Sequence, residues 1–288
     1  MESISGFCDL CILNSKSSPE SIKEICLKLI SLGYKTVAVN YFFEDTNSES
    51  KKKKKKDVKE TQEDIIPPPI NLDFLKDLQQ KIRVIHRLTI KFSDSSLTVR
   101  LNQSLNIRKY HLLAALPLTQ TAFQIACSTF DTDIITFDPE NKNVIKLSRK
   151  LYNQAINRGL VFELMYTPAI RDSTHRKNII HMSHLYHAFG KSKQIIVSSW
   201  ASEPQHVRSP YDIVNLGLIF GLSEQQAKYA ITIACRDVIL RAHGRRNGKT
   251  IMLVVQPSGE EIVETLEDQN SDIEMEIETQ PALKKLKS

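Results

Sequence analysis

A cluster of cationic residues follows an apolar run, 160–166, that only Glu163 interrupts and that is too short for a helix. Such a run suits a strand buried on both faces, which Pro168 would end. We expect Asp172 and Ser173 to shape the following loop, 169–177, and to cap the next helix. The cationic residues are Arg171, His175, Arg176 and Lys177. In parallel β/α proteins the loops after strand carboxyl ends usually meet the ligand, so this loop indicates phosphate binding.

Two further basic clusters are expected to share one rim with the first. Arg208 lies before the closing helices, and the other cluster ends the last helix. That last cluster comprises Arg241, His243, Arg245, Arg246 and Lys249. A rim of guanidinium groups would follow a nucleic-acid backbone without reading its sequence. The alternatives are a merely basic surface or salt bridges to nearby carboxylates. Tyr211 and Trp200 are candidates for base stacking, although core packing is the expected role of both.

Candidates for catalysis or metal binding are scarce. The first strand offers Asp9 without an H-x-H pair, and isolated carboxylates cannot build the metal centre of a barrel phosphoesterase. Glu163 lies within a strand, where a buried carboxylate needs a cationic partner, so a structural ion pair is favoured over catalysis. The histidines at 181, 184 and 187 fan across one helix without acidic or cysteine ligands. The sequence therefore predicts no catalytic residue, no metal and no cofactor.

The compartment is indicated by the cysteines and by the hydropathy pattern. The chain has five cysteines, an odd number, mostly within apolar runs, which is typical of reduced, buried thiols in an intracellular protein. No apolar run reaches the length of a membrane span, and the N-terminus lacks a signal-peptide pattern. We therefore expect a soluble protein that is neither secreted nor bound to a membrane.

These side chains are positioned by seven or eight predicted strands, most of them buried and followed by helices. The first β-α-β unit indicates a parallel sheet, and the alternation of strands and helices along the chain favours a TIM-like β/α barrel. A doubly wound sheet is the alternative, but no glycine-rich phosphate loop follows the first strand. One long helix is predicted from Ser223 to Ala242. Strands are predicted at 6–13, 36–43, 82–92 with one exposed basic face, 111–118, 133–137, 144–147, 160–166 and 194–200.

Charge and composition divide the chain into a single barrel domain, 1–256, and a disordered acidic tail, 257–288, that ends in a basic stretch. The chain has a net charge of +6, with 41% hydrophobic residues to form a core. A lysine-rich insertion at about 44–71 contains Lys51 to Lys56 and is expected to be disordered. This run could be an RNA-contacting arm, a nuclear-import signal or simply solvated charge.

Long motifs resemble a known family. They are RGLVFELMYTPAIRDSTHRK (158–177), the stretch from QIIVSSW (194–200) to DVILRA (237–242), GYKTVAVNYFFED (33–45) and IHRLTIKFSD (85–94). Together they resemble the TIM-barrel protein subunit of ribonuclease P, the thirty-kilodalton subunit shared with ribonuclease MRP. The resemblance covers residues 5–250 apart from the lysine insertion.

The resemblance implies a barrel similar to the polymerase-and-histidinol-phosphatase type that has lost its metal ligands. It implies a non-catalytic, RNA-binding subunit in the nucleus and nucleolus that acts in tRNA and rRNA processing. The implied partners are ribonuclease P RNA, MRP RNA, a small ferredoxin-like subunit, other protein subunits and, indirectly, precursor tRNA. A metal-dependent phosphoesterase on the same barrel is the alternative. Carried onto this sequence, the RNA-facing residues are Arg171, Arg176, Lys177, Arg208 and Arg241, with Arg245 and Arg246 from the same basic helix end.

Overall fold

Seven parallel strands, paired in the order of the chain, organise the described part of the protein. The structure is a computed structural model that describes residues 6–14, 19–44, 64–140 and 146–248. The strands are β1 (Phe7–Leu13), β2 (Tyr34–Glu44), β3 (Arg83–Phe92), β4 (Leu112–Pro117), β5 (Ile134–Ile135), β6 (Val161–Met165) and β7 (Ile195–Ser198).

Helices connect most of the strands, as the sequence rhythm predicts. They are α1 (Pro19–Ser31), α2 (Ser96–Asn102), α3 (Gln120–Ser128), α4 (Arg149–Asn157), α5 (Tyr166–Arg171), α6 (Ser173–Gly190), α7 (Pro210–Ile219), α8 (Glu224–Ala230) and α9 (Ile233–Asn247). Short 3₁₀ turns occur at Asp73–Leu78, Asn106–Lys109 and Pro204–His206. None of the described helices is both long enough and apolar enough to cross a membrane.

The sheet curves until its last strand approaches its first. Beyond β7, the amide of Trp200 donates to the carbonyl of Cys11 at 2.8 Å, and the amide of Leu13 donates to the carbonyl of Ala201 at 2.8 Å. Asp9 strengthens this seam, because its Oδ1 accepts from the amide of Ser199 at 3.0 Å. The strands therefore form a nearly closed barrel, and the prediction of a TIM-like β/α barrel is confirmed.

The polar residues of β3 point into the barrel, contrary to the prediction of an exposed basic face. Arg87 and Thr89 are fully buried, while Leu88 and Ile90 pack outward into the layer between strands and helices. The predicted alternation with a period of two is present, but its polar side faces the barrel interior and not water. A barrel encloses one face of every strand, so a charged residue on that face needs an internal partner.

The predicted long helix after Ser223 is in fact two helices, α8 and α9. The carbonyl of Ile231 leaves the helical ladder and accepts from the amide of Cys8 on β1 at 2.9 Å. The β-branched sequence Ile231-Thr232-Ile233 has low helix propensity, which eases the break. After it, α9 packs its buried face, with Cys235, against interior barrel residues such as Leu112. The break thus turns α9 across the open base of the barrel.

Other element boundaries differ from prediction. The first part of the predicted loop 169–177 belongs to α5, which holds Pro168 in its first turn, because proline is tolerated at helix starts. The helix predicted to follow the cap at Asp172 is present as α6. Residues 96–102 form α2, and the predicted 133–137 strand shrinks to Ile134–Ile135. The predicted strand 144–147 lies partly outside the described residues, and residues 146–148 form no strand.

Part of the predicted insertion belongs to the fold. Ile66 is fully buried, and the hydroxyl of Tyr110 donates to the carbonyl of Pro67 at 3.0 Å. Residues 64–71 therefore belong to the fold, whereas Lys51 to Lys56 lie outside the described residues. The compact unit that holds the barrel ends at Ile251, and the predicted acidic tail also lies outside the described part of the chain. All five cysteines are free and buried.

Candidate functional site

A cavity of about 580 Å³ opens at the carboxyl ends of the strands. This barrel mouth combines two aromatic rings, Phe42 and Trp200, with groups of both charges. The remaining lining residues are Leu13, Lys91, Leu116, Asp138, Pro139, Glu140, Thr167, Pro168, Arg171, Asp172, His175 and Ser202. It has the place and the size of a ligand site in a β/α barrel.

An ion pair crosses the barrel interior next to the mouth. Nη1 and Nη2 of Arg87 donate to Oε1 and Oε2 of Glu163, each at 2.6 Å, and both side chains are 0% exposed. Nη1 of Arg87 also donates to the carbonyl of Leu10 at 2.9 Å, and the hydroxyl of Ser198 donates to Glu163. The expected cationic partner of Glu163 is therefore present, and the interpretation as a structural ion pair is confirmed.

The ion pair keeps both Arg87 and Glu163 in their charged forms. Burial alone would raise the pKa of Glu163, but the charge and hydrogen bonds of Arg87 outweigh it and hold that pKa below its usual range. The indole Nε1 of Trp200 donates to the same carboxylate at 3.4 Å. Glu163 is thus a charged anchor that links the interior to the wall of the mouth, and it has no proton to give at neutral pH.

The donor set in the interior does not suit a divalent metal. Among the described residues no three His, Cys, Asp or Glu side chains lie together in a way that could hold one. The Arg87 guanidinium also supplies a permanent positive charge to the carboxylate that a metal would need.

Asp172 shapes the rim of the mouth by capping α6, as its position after the strand predicts. Its Oδ1 accepts from the amides of Thr174 at 2.7 Å and His175 at 2.8 Å. These bonds to the charged form, first that from His175, lower the pKa of Asp172. Ser173 is the first residue of α6 and is exposed.

The three predicted basic residues of this rim are all exposed but differ in their partners. Nε of Arg176 donates to the carbonyl of Ala169 at 2.7 Å and so ties α6 to the end of α5. Arg171 and Lys177 form no ion pair with any residue of the described ranges. Their charges are therefore the ones most open to an external anion.

Arg208 lies near the same rim on the segment between β7 and α7. Its amide donates to the hydroxyl of Tyr166 at 3.2 Å, and its carbonyl accepts from the hydroxyl of Tyr34 at 3.1 Å. Burial and then the charges of Arg171 and Arg208 lower the pKa of the neighbouring His206. The prediction that Arg208 and Arg171 share a rim agrees with this arrangement.

The basic end of α9 is at the opposite end of the barrel, so the prediction of one shared rim is wrong. Nη2 of Arg245 donates to Oδ2 of Asp133 at 2.9 Å, and Nη1 of Arg241 donates to Oδ1 at 3.3 Å. Asp133 precedes β5 and is fully buried, which marks the amino ends of the strands. Arg246 lies on the same side, where its Nε donates to the carbonyl of Arg108 at 3.1 Å.

Sequence reasoning missed two residues of the mouth and placed Tyr211 in the wrong environment. Lys91 and Phe42 sit at the carboxyl ends of their strands, and the Lys91 Nζ lies 5.4 Å from the Phe42 ring centroid. Their position at strand ends is the signal that could have identified them. Trp200 lines the mouth, whereas Tyr211 is 72% exposed on α7, away from the core predicted for it.

The model of the protein family "RNase P subunit p30" matches residues 6–247, which are most of the chain and include all of the barrel. The chain belongs to this ribonuclease P subunit family. It is 33% identical over 254 residues to "Ribonuclease P protein subunit p30" of Mus musculus, and the match covers 88% of this chain and 92% of the mouse protein.

Two further comparisons concern a more distant relative and a solved structure. "Ribonuclease P/MRP protein subunit RPP1" of Saccharomyces cerevisiae is 23% identical over 169 residues, which cover 59% of this chain and 56% of the yeast protein. A chain of an archaeal ribonuclease P determined with mature tRNA has a TM-score of 0.57 at 16% identity, covering 90% of this p30-family chain and 100% of its own length. The likeness to that chain concerns the fold.

Proposed function

We propose that this p30-family chain is an RNA-binding, non-catalytic protein subunit of ribonuclease P, the particle that removes the 5′ leader from precursor tRNA. Family membership and the mouse relative support the assignment to ribonuclease P. The printed name of the yeast relative supports a second place in ribonuclease MRP, where rRNA is processed. The chemistry of cleavage would then belong to the RNA of the particle.

The exposed, unneutralised charge at the barrel mouth carries the proposal of RNA contact. Arg171 and Lys177 are exposed and, within the described ranges, free of ion pairs, so phosphate can meet them without breaking a native contact. Arg176 and Arg208 stand beside them as further donors. Arg246 would form a separate contact at the amino ends of the strands.

Arg241 and Arg245 have a different role in this proposal. Their guanidinium groups are occupied by the buried carboxylate of Asp133, and the Arg245 side chain is only 10% exposed. We therefore assign them chiefly to holding α9 against the barrel base. Loss of that support would disturb RNA binding only through the fold.

The proposal of a non-catalytic subunit rests on the interior chemistry. The polar centre described in the barrel is an arginine–carboxylate pair whose carboxylate also accepts from the hydroxyl of Ser198, so Glu163 is engaged in structural contacts and is not free to act as a base. The competing hypothesis, a metal-dependent phosphoesterase, predicts turnover by the isolated protein. Phosphodiesterase turnover with stoichiometric Mn²⁺ or Zn²⁺ bound to the purified full chain would favour the enzyme over the scaffold.

The proposed partners follow from the same assignment. They are ribonuclease P RNA, MRP RNA, other protein subunits including a small ferredoxin-like one, and precursor tRNA indirectly. The eukaryotic relatives support a nuclear location, for which the nucleolus is the finer proposal. The lysine run and the three lysines at 284, 285 and 287 are candidates for import signals and lie outside the described residues.

The decisive experiment is a binding titration of the purified full chain with ribonuclease P RNA at several salt concentrations. We expect binding that weakens linearly in log affinity against log salt, because phosphate contacts release counterions. A double-stranded RNA of equal length serves as the nonspecific control. Equal affinity for both RNAs, together with failure of the chain to enter reconstituted ribonuclease P, would refute the proposal.

A further inference from the structure

Two aromatic rings form a rigid wall of the barrel mouth. The centroids of Phe42 and Trp200 are 5.4 Å apart at an interplanar angle of 64°. Phe42 is 39% exposed, so this ring is not committed to the core. The Lys91 Nζ lies over this ring, 5.4 Å from its centroid, and the exposed remainder of the ring is the part that a planar ligand can meet.

Trp200 is held in place by its backbone. Its φ is 55°, in the left-handed region that non-glycine residues seldom occupy and that persists only where surrounding contacts enforce it. Here two hydrogen bonds enforce it: the backbone amide of Trp200 donates to the carbonyl of Cys11, and the indole Nε1 donates to the carboxylate of Glu163. Such strain tends to occur at functional sites, and here it orients the indole that lines the cavity.

A buried hydroxyl in the lining also lacks a partner. Thr167 is 2% exposed and lines the cavity, yet its Oγ1 makes no hydrogen bond to any described residue. Buried polar atoms are normally paired, so this hydroxyl indicates that a polar ligand completes the site. The mouth therefore offers both a stacking surface and an unused hydrogen-bonding group.

The charges of the mouth select the ligand class. Lys91, Arg171 and His175 are basic, but the lining also contains Asp138, Glu140 and Asp172. A bare phosphate chain would be repelled by the carboxylates. A nucleotide suits both sets, because carboxylates accept from exocyclic amino groups of bases while guanidinium groups bind the phosphate.

We propose that the barrel mouth binds one unpaired, amino-bearing nucleobase of a single-stranded RNA segment. The base stacks on the exposed part of Phe42 and meets Trp200 at an angle, Glu140 accepts from its exocyclic amino group, and Arg171 binds the adjoining phosphate. Single-stranded RNA is commonly recognised in this way, through stacking on aromatic rings and contacts to base edges. The inference rests on the proposed function, since it specifies which part of the RNA the protein meets.

The single tryptophan of the chain makes the test direct. Because Trp200 is the only tryptophan, intrinsic fluorescence reports on the mouth alone. Six-nucleotide oligo(C) and oligo(U) strands are titrated into the full chain, since uracil has no exocyclic amino group. We expect saturable quenching by oligo(C) and roughly tenfold weaker binding of oligo(U), from the loss of a base-edge contact.

Two variants and a control assign the effect to this site. Phe42→Ala should weaken oligo(C) binding roughly tenfold by removing a stacking surface, and Glu140→Gln should abolish the preference for C over U. Glu140 is exposed, so its replacement leaves the fold intact even if Phe42→Ala lowers the melting temperature. Tyr211→Ala removes an exposed aromatic ring from α7 and should change neither quantity.

The outcomes separate this inference from the proposed function. Tight binding of ribonuclease P RNA with unchanged Trp200 emission and no C-over-U preference would overturn the base site and leave the subunit assignment standing. A protein segment crosslinked inside the mouth of the assembled particle would also overturn it. Failure to bind any RNA would instead remove the proposed function, and the inference with it.

Discussion

Arg87 on β3 and Glu163 on β6 meet across the barrel interior, joined by two hydrogen bonds of 2.6 Å. Each is fully buried, so neither charge has access to water. A buried pair of this kind adds little net stability over an apolar pair, yet the loss of one partner leaves the other charge uncompensated. The two residues therefore depend on each other.

Replacement of one partner should destabilise the barrel strongly. We expect Glu163→Gln to lower the free energy of unfolding by about 3–5 kcal/mol, because it leaves the Arg87 guanidinium buried without a counter-charge. The double variant Arg87→Met/Glu163→Leu should lose less than either single variant. Urea denaturation of all variants measures these differences.

The exposed pair of Lys23 and Asp77 supplies the matched control. It has a similar separation, 3.0 Å, but its side chains are 39% and 73% exposed. Asp77→Asn should change the free energy of unfolding little, because water screens an exposed ion pair. Equal losses in Asp77→Asn and Glu163→Gln would contradict the interior role of the Arg87–Glu163 pair.

Asp9 should make stability depend on pH. Burial raises its pKa from 3.8 to about 6, so between these pH values the folded state binds more protons than the unfolded state. The free energy of unfolding should then fall as pH rises through this window, with the loss complete above pH 6. The change is about 2–3 kcal/mol.

An isosteric amide isolates this effect. Asp9→Asn keeps the Oδ1 acceptor for the amides of Cys11 and Ser199 but cannot titrate. The stability of this variant relative to the native chain should therefore rise by about 2–3 kcal/mol between pH 4 and pH 7. Asp131→Asn, at an exposed site, serves as the control substitution. A constant difference between Asp9→Asn and the native chain across this pH range would refute the assignment.

The lysine run should contribute charge without contributing to the fold. We expect deletion of Lys51 to Lys56 to weaken RNA binding modestly and to flatten its salt dependence, because fewer counterions are released. The melting temperature should remain that of the full chain. A lower melting temperature would show that the run packs against the barrel.

The strand order and the helix rhythm could be predicted because each depends on local patterns. The helix cap at Asp172 and the ion pair of Glu163 could also be predicted from the sequence, because a helix start and a buried carboxylate each require a specific type of partner. The identity of that partner could not be predicted. Arg87 lies 76 residues from Glu163 in the sequence. The alternating pattern of its strand is equally compatible with a polar face that is exposed to water.

The division of the basic residues was beyond sequence reasoning for a similar reason. The break at Ile231 depends on a hydrogen bond to β1, a contact that joins the two ends of the barrel sequence. That break carries Arg245 to the barrel base, where Asp133 neutralises it. Local helix periodicity contains no information about either contact, so the cluster was placed on the wrong rim.

The same substitution at Arg171 and at Arg245 should therefore change different properties. We expect a loss of RNA affinity at Arg171 and a loss of stability at Arg245. Arg171→Gln should lower RNA affinity roughly tenfold and leave the melting temperature unchanged, because an exposed guanidinium loses one charged phosphate contact. Arg245→Gln should lower the free energy of unfolding by about 2–4 kcal/mol, because Asp133 stays buried with a weaker counter-charge. Thermal denaturation and RNA titration are measured on both variants.

Lys28→Gln controls for loss of one surface charge, since Lys28 is exposed on α1 and should change both measurements little. RNA titrations are made well below the melting temperature of Arg245→Gln, so that unfolding does not imitate lost contact. If Arg245→Gln then binds RNA as weakly as Arg171→Gln while melting normally, Arg245 contacts RNA and its bond to Asp133 is incidental. If Arg171→Gln instead melts early and binds normally, its role is structural and the barrel mouth loses its phosphate anchor.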